Sequence, residues 1–330
     1  MDLKIITGDN KNVAAAIARS IGIEEPVVIT GKDLLAISPE ALKQQVKKTH
    51  IFAETEPQQK ERIVLALKQH YSVAYMGDGI NDVAAIHAAD VGITVENAVD
   101  VAREAADFVL LEKDLAVLAD GIREGRKTFA NTLKYLFIST GATFGNMCSV
   151  AAASLILPFL PMLPKQILLT NFLSDFPFLM VSTDNVDKGQ LAHPGKWELK
   201  LIRNYMLVFG IHSSIFDLAT FSTLFYFLQA KEAVFQTGWF IESVISELCI
   251  VFIVRTHQHF FKSRPGKYLL IFSVLALVLT LLIPYLPIAR DIGLVPLPLP
   301  YLGAMLLIVL VYIGTADLLK VWFFKRFQPV

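Results

Sequence analysis

The sequence predicts an α/β domain built on a parallel sheet, followed by an all-α membrane bundle of six transmembrane helices. Three observations predict it. Short apolar runs alternate with helical patterns over the first third of the 330 residues, as parallel sheets with crossover helices require. Charge is uneven: 16 basic and 20 acidic side chains lie up to Lys134, against 14 and 10 in all that follows. Six long apolar runs fill that remainder, and apolar residues reach 54% of the chain, above the roughly 45–50% of soluble domains. The formal net charge of zero therefore hides two dissimilar parts. No basic stripe with interleaved aromatics occurs, which excludes nucleic acid as a partner class.

The strand candidates are residues 3–7 (LKIIT), 26–30 (PVVIT), 50–53 (HIFA), 72–76 (SVAYM), 91–95 (VGITV) and 107–111 (DFVLL). Helical patterns lie between them, including NVAAAIARSIGI and PQQKERIVLALKQH. In the second, Ile63, Leu65, Ala66 and Leu67 mark the expected buried side, and Lys60, Glu61 and Lys68 face water or a site. Ligands of such sheets bind at the carboxyl ends of strands, and three strand ends here are unusually polar. Thr7-Gly8-Asp9 follows the first strand. Lys60 opens the helix after HIFA. Met76-Gly77-Asp78-Gly79-Ile80-Asn81-Asp82 follows the fourth. Glycines let that last loop turn sharply and approach a ligand. Asp78 and Asp82, four residues apart, converge on a small volume that suits Mg²⁺, which takes one or two carboxylates plus phosphate oxygens. A lysine and a threonine hydroxyl beside them supply phosphate contacts.

Together TGDN (7–10), EPQQK (56–60) and MGDGINDVAAI (76–86) resemble the last three motifs of the phosphorylation domain of P-type cation-transporting ATPases, a haloacid dehalogenase-like fold. The resemblance implies that Thr7 and Lys60 contact the transferred phosphoryl group, that Asp78 and Asp82 serve the catalytic Mg²⁺, and that Asn81 supports the site. It implies that Gly8 and Asp9 complete the turn presenting Thr7, and that ATP is the substrate of the complete pump. The family's phosphorylated aspartate lies in a DKTGT motif on the first strand of this domain. Neither DKTGT nor the TGE loop of dephosphorylation occurs in these 330 residues, nor a nucleotide-binding domain or the first four membrane helices. The resemblance thus covers essentially all of this chain and part of a pump, and implies the N-terminal half of such a pump as a partner in trans. It divides the chain into residues 1–114, the later part of the phosphorylation domain; 115–134, a connecting stalk helix; and 135–330, equivalent to the last six of ten membrane helices.

The six expected spans are 135–157, 165–183, 204–228, 238–254, 268–287 and 299–323, each near the roughly 20 residues that cross hydrocarbon. The second is short and contains Pro177. Lys and Arg are concentrated in 184–203, 255–267 and the tail, and are sparser around Lys165, Lys231 and Arg290. Positive charge favours the cytoplasmic side, so the pattern places both termini in the cytoplasm of a bacterial cell, with membrane lipid around the bundle. Cys148 and Cys249 are far apart in apolar stretches and read as packing residues, without a disulfide or zinc role.

Carboxylates inside spans are costly and mark ion paths or helix contacts. Asp175 and Glu247 are the ion-path candidates; Asp217, Glu242 and Asp317 are expected to make helix–helix or interfacial hydrogen bonds. Asn171, Ser174 and Asp175 share one helical face at spacings of three and four, and Pro177 is expected to free carbonyls just beyond. NFLSD (171–175) and TFGN (143–146) resemble the sixth- and fifth-helix cation-ligand segments of the pumps, which adds Asn146. REAADFVLLEKDLAVL, FPFLM with DNVD, SSIFD, and GWFIES with VRT are most similar to bacterial magnesium-transporting members. Thr143 replaces their usual Asn, and Glu247 is similar to the eighth-helix acid of calcium pumps. Magnesium is the first expectation for the transported cation, and calcium the alternative. A non-enzymatic membrane remnant or partner-binding fragment is the rival class; the presence or absence of TGE and DKTGT in the upstream reading frame separates the two.

Overall fold

The computed structural model describes residues 2–112, 114–192 and 195–327. They fall into two compact units, Met1–Gly121 and Ile122–Val330.

In the first unit all six apolar runs become strands: β1 (Ile5–Ile6), β2 (Val28–Thr30), β3 (Ile51–Ala53), β4 (Ala74–Met76), β5 (Val91–Val95) and β6 (Phe108–Leu110). They form two parallel ladders, in the orders β1-β3-β2 and β4-β5-β6. Ile6 and Val73 pack against the apolar clusters of both. Ile51, Phe52 and Ala53 are fully buried, as a continuous apolar strand covered on both faces should be. The helices are α1 (Lys11–Ser20), α2 (Gly31–Ala36), α3 (Pro39–Lys48), α4 (Pro57–Lys68), α5 (Val83–Ala88) and α6 (Asp100–Ala105).

Their starts are written locally. Asn10 caps α1, Thr30 and Asp33 form a reciprocal box on α2, and Ser38 caps α3 ahead of Pro39, each satisfying a backbone N–H that lacks a helical partner. On α4, Ile63, Ala66 and Leu67 are buried, as their spacing predicts. Leu65 is 48% exposed; one residue lies 100° from its neighbour on a helix, and the buried arc is completed by Val64 instead.

A long helix, α7 (Leu115–Ile156), runs on beyond the unit boundary and merges the expected stalk and first span. The second unit continues with α8 (Pro164–Met180), α9 (Lys188–Ala192), α10 (Leu199–Ser222), α11 (Glu232–Val254), α12 (Lys267–Leu282), α13 (Ala289–Ile292) and α14 (Leu299–Phe327). Among the described residues, five helices are long and apolar enough to cross a membrane: 116–156, 199–227, 232–254, 267–285 and 299–327. The expected second span falls on α8, whose 17 residues rise only about 25 Å at 1.5 Å each, short of the roughly 30 Å of hydrocarbon. The six-span count is thus not established. The most apolar stretch of α11 is 83% buried, against 28–33% in the other four, so α11 is the helix the others surround.

At the end of α8, Asp184 is fully buried. It accepts hydrogen bonds from Lys134 Nζ on α7 at 2.8 Å, from Arg255 Nε beyond α11 at 3.0 Å, and from the Gly266 N–H before α12 at 2.8 Å. One carboxylate thus ties four segments together.

Candidate phosphoryl-transfer and cation sites

In the first unit, the Thr7–Asp9 turn leaves β1 and is pinned to the segment after β3. The Thr55 N–H and hydroxyl both donate to the Thr7 carbonyl, at 3.1 and 3.0 Å, and the Glu54 N–H donates to the Asp9 carbonyl at 2.9 Å. Thr7 Oγ1 donates to Asp9 Oδ2 at 3.0 Å, and the Asp9 N–H donates to Thr7 Oγ1 at 3.1 Å. Asp9 thus fixes the hydroxyl by its side chain. A methyl group at Gly8 would rest 3.6 Å from the Thr55 carbonyl oxygen, an ordinary contact, so space alone does not demand glycine there.

Lys60 and Asp82, each 9% exposed, form an ion pair of 2.8 Å. Asp82 Oδ1 also accepts from the Tyr75 hydroxyl at 2.7 Å, and Oδ2 from the Gly79 N–H at 3.4 Å. Burial pushes the Asp82 carboxyl up, but the hydrogen bonds from Lys60 and Tyr75 and the lysine charge outweigh it and hold the group below the usual carboxylate value. Burial first, then the bond to Asp82, pushes the Tyr75 phenol well up. Gly77 is required: a Cβ there would lie 2.4 Å from that of Asp82. Asp78 and Asn81 are exposed, and among the described residues no hydrogen bond or ion pair engages the Asp78 carboxylate. No group of three His, Cys, Asp or Glu that could hold a metal occurs among the described residues.

In the second unit, Asn146 on α7, Asn171, Ser174 and Asp175 on α8, and Glu247 on α11 all line one cavity of about 390 Å³. Asn146 Nδ2 donates to Glu247 Oε1 at 2.6 Å. Ser174 Oγ donates back to the Thr170 carbonyl at 3.1 Å. α8 runs through Pro177 without a break; the ring removes one N–H and so leaves the Leu173 carbonyl without its helical partner, a smaller effect than the expected disturbance.

Two family matches account for most of the chain: residues 2–90 match the haloacid dehalogenase-like hydrolases and residues 159–322 match the C-terminus of cation transporting ATPases. The chain is 40% identical over 98% of its length to "Magnesium-transporting ATPase, P-type 1" of Salmonella typhimurium and, to the same extent, of Escherichia coli (strain K12). The chain belongs to the P-type cation-transporting ATPase family. It corresponds to the C-terminal part of such an ATPase, spanning 37% of the length of those two relatives. It is also 29% identical over 88% of its length to "Calcium-transporting ATPase" of Bacillus subtilis (strain 168), covering 35% of that protein.

Within this chain, sequence reasoning proposed site residues but missed what holds them in place. Tyr75 reads as a strand residue, and its bond to Asp82 is a tertiary fact. Lys134 and Arg255 read as boundary charges, and Asp184 as a loop acid. The signal available for that hub was DNVD and VRT, two short polar segments next to apolar runs. Asp217 and Asp317 do make the expected contacts: Asp217 with Ser149 and Trp239, Asp317 with His259 and Lys320.

Proposed function

We propose that the chain is the C-terminal part of an ATP-driven pump that moves a divalent cation across the bacterial plasma membrane, magnesium in the first instance. The observation that carries this reading is the cavity on which Asp175, Glu247, Asn146, Asn171 and Ser174 converge from three helices. Carboxylate and amide oxygens gathered inside an apolar bundle suit a hard divalent ion. In this reading α8 serves as the sixth, short span, with both termini on the cytoplasmic side.

The phosphorylation unit drives the cycle. Lys60 neutralises the transferred phosphoryl group, Thr7 turns its one hydroxyl proton from Asp9 to one of the phosphoryl oxygens, and Asn81 supports the loop. Asp78, whose carboxylate makes no hydrogen bond or ion pair among the described residues, and Asp82 would hold the catalytic Mg²⁺, which would supply charge neutralisation to the phosphate oxygens. Asp82 Oδ1 meanwhile aims Lys60. The acceptor aspartate and the ATP-binding domain come from the remaining part of the pump, working in trans or as one chain. Because the relatives extend well beyond the length matched here, they leave room for those parts.

One observation favours calcium as a second reading. Glu247 lines the cavity with Asp175, and a second carboxylate with more oxygen donors suits the larger ion. The test is a chimaera in which this chain replaces the matching part of the Salmonella protein, reconstituted in vesicles, with tracer Mg²⁺ and Ca²⁺ uptake measured for Asp175→Asn and Glu247→Gln. Loss of Mg²⁺ uptake in Asp175→Asn alone supports magnesium. Ca²⁺ uptake lost in both variants supports calcium. ATP-independent behaviour of the parent chimaera, with no uptake of either ion, supports the non-enzymatic remnant.

A further inference from the structure

A pair of buried carboxyls lies outside the cation cavity. Asp217, on α10, accepts from the Ser149 hydroxyl of α7 at 2.6 Å on Oδ2 and from the Trp239 indole N–H of α11 at 2.8 Å on Oδ1. Glu242, three residues beyond Trp239, is 1% exposed. Its side chain meets that of Asp217, and its Oε2 has no hydrogen-bond partner. The other titratable groups facing the pair are Glu247 and Cys249 on α11 and Tyr312 on α14. None is cationic, and among the described residues no Lys, Arg or His bonds either carboxyl.

Two ionised carboxylates in contact within an apolar interior are opposed both by repulsion and by lost hydration. One proton between them removes both penalties. Its place follows from the donors. Asp217 receives two, which stabilise its anion. Glu242 Oε2 receives none, so an ionised Glu242 would leave a bare anionic oxygen, whereas a protonated one donates its O–H to Asp217 and leaves only a neutral carbonyl oxygen unpaired. The pair also lies one side chain from the cavity: Trp239, which bonds Asp217, and Ser243, next to Glu242, both line its wall.

We propose that Asp217 and Glu242 form an exchangeable proton-binding site in the membrane unit, with the proton carried on Glu242, donated to Asp217, and passed to and from water through the cavity wall. On release the O–H bond of Glu242 breaks, H⁺ passes to cavity water, and the electron pair stays on the carboxylate; uptake is the reverse. The membrane unit therefore has two ionic sites, one of which takes H⁺, and this holds whatever ion fills the cavity.

Infrared spectroscopy of the full chain in lipid at neutral pH tests it. A protonated-carboxyl C=O band is expected that shifts when H₂O is replaced by D₂O. Glu242→Gln should abolish it, because the amide still donates to Asp217 and no carboxylic acid remains. Asp217→Asn should move it without abolishing it, because only the acceptor changes, and Glu247→Gln should leave it in place. Labelling the glutamates of the unmodified chain with ¹³C should displace the same band, which assigns it to a glutamate and not to Asp217 even if a variant does not fold. A band that survives Glu242→Gln, that disappears in Glu247→Gln, or that is unmoved by the label overturns the site. A band that does not respond to D₂O overturns the exchange.

Discussion

At the scale of single residues, the phosphorylation site depends on a buried ion pair whose members are 22 positions apart. Lys60 has two tasks, to meet an incoming phosphoryl group and to neutralise Asp82. Removing one partner of a buried pair leaves the other charge uncompensated and costs about 3 kcal/mol or more. Lys60→Ala should therefore lower phosphoenzyme in the chimaera by at least about a hundredfold, and should also increase amide hydrogen exchange around β4 and α4. A loss of phosphoenzyme with unchanged exchange would remove the structural half of this account. Tyr75 adds a pH dependence. Because the folded Asp82 carboxyl titrates below its ordinary value, it contributes stability above the unfolded value of about 3.9, and that contribution is lost as pH falls through the lower folded value. Tyr75→Phe deletes the 2.7 Å bond, worth about 1.5–3 kcal/mol when the acceptor is charged, and raises the folded value. The expected result is acid unfolding of the first unit beginning at higher pH than in the parent, followed by tryptophan-independent probes such as hydrogen exchange. An unchanged acid profile would mean that Lys60 alone sets the Asp82 charge.

At the scale of elements, small residues let the membrane helices approach. A Cβ at Gly210 on α10 would lie 2.4 Å from Phe144 Cδ1 and 3.3 Å from the Gly145 nitrogen of α7, and one at Gly145 would lie 3.1 Å from Ser213 Cβ. The Ser214 hydroxyl donates to the Gly145 carbonyl at 3.0 Å across this crossing, the kind of close, polar contact that drives helix association in lipid. The same crossing brings Ser149 to Asp217. Gly210→Leu should separate α7 from α10 and lower the thermal unfolding temperature of the chain in lipid by several degrees, with a smaller effect for Gly210→Ala, where the Phe144 ring can turn aside. Equal stability of all three proteins would show that the crossing is not tight. Much of this level was legible. The strands and helix caps of the first unit lie where apolar runs and Asn, Ser or Thr caps put them, because those signals are local. Leu65 is apolar yet 48% exposed, because the 100° step from Val64 turns it to solvent. α8 kept its helix through Pro177 because one lost hydrogen bond among many is tolerated inside a packed bundle.

At the scale of the whole molecule, the number of crossing helices turns on α8. Among the described residues five helices meet the length and hydropathy of a span, and α8 does not. The lysine and arginine bias argues that it crosses nonetheless. Reporter fusions after Gly189 and Lys262 should read cytoplasmic, and fusions after Leu160 and Lys231 exoplasmic. Leu160 and Gly189 flank α8, so the same signal from both would mean that α8 lies within the bundle without crossing and that the chain has five spans. A split signal gives six and puts the Asn171–Asp175 segment inside the membrane, where an ion path requires it.

The sequence by itself determined the two-part character of the chain, the places where strands end in polar loops, and the residue types that are candidates for both sites. These follow from local properties: hydropathy along the chain, spacing on one helix face, and motifs whose residue types are tied to phosphate and cation chemistry. Only the tertiary structure decided which of those residues meet. It paired Lys60 with Asp82 and Tyr75, set Asn146 against Glu247 across 101 positions, closed four segments on Asp184, and pressed Glu242 against Asp217. Such contacts have no local signature, because each depends on how separate helices and strands pack. A buried charge has the same letter in the sequence as a solvated one, and packing alone determines whether it finds a partner.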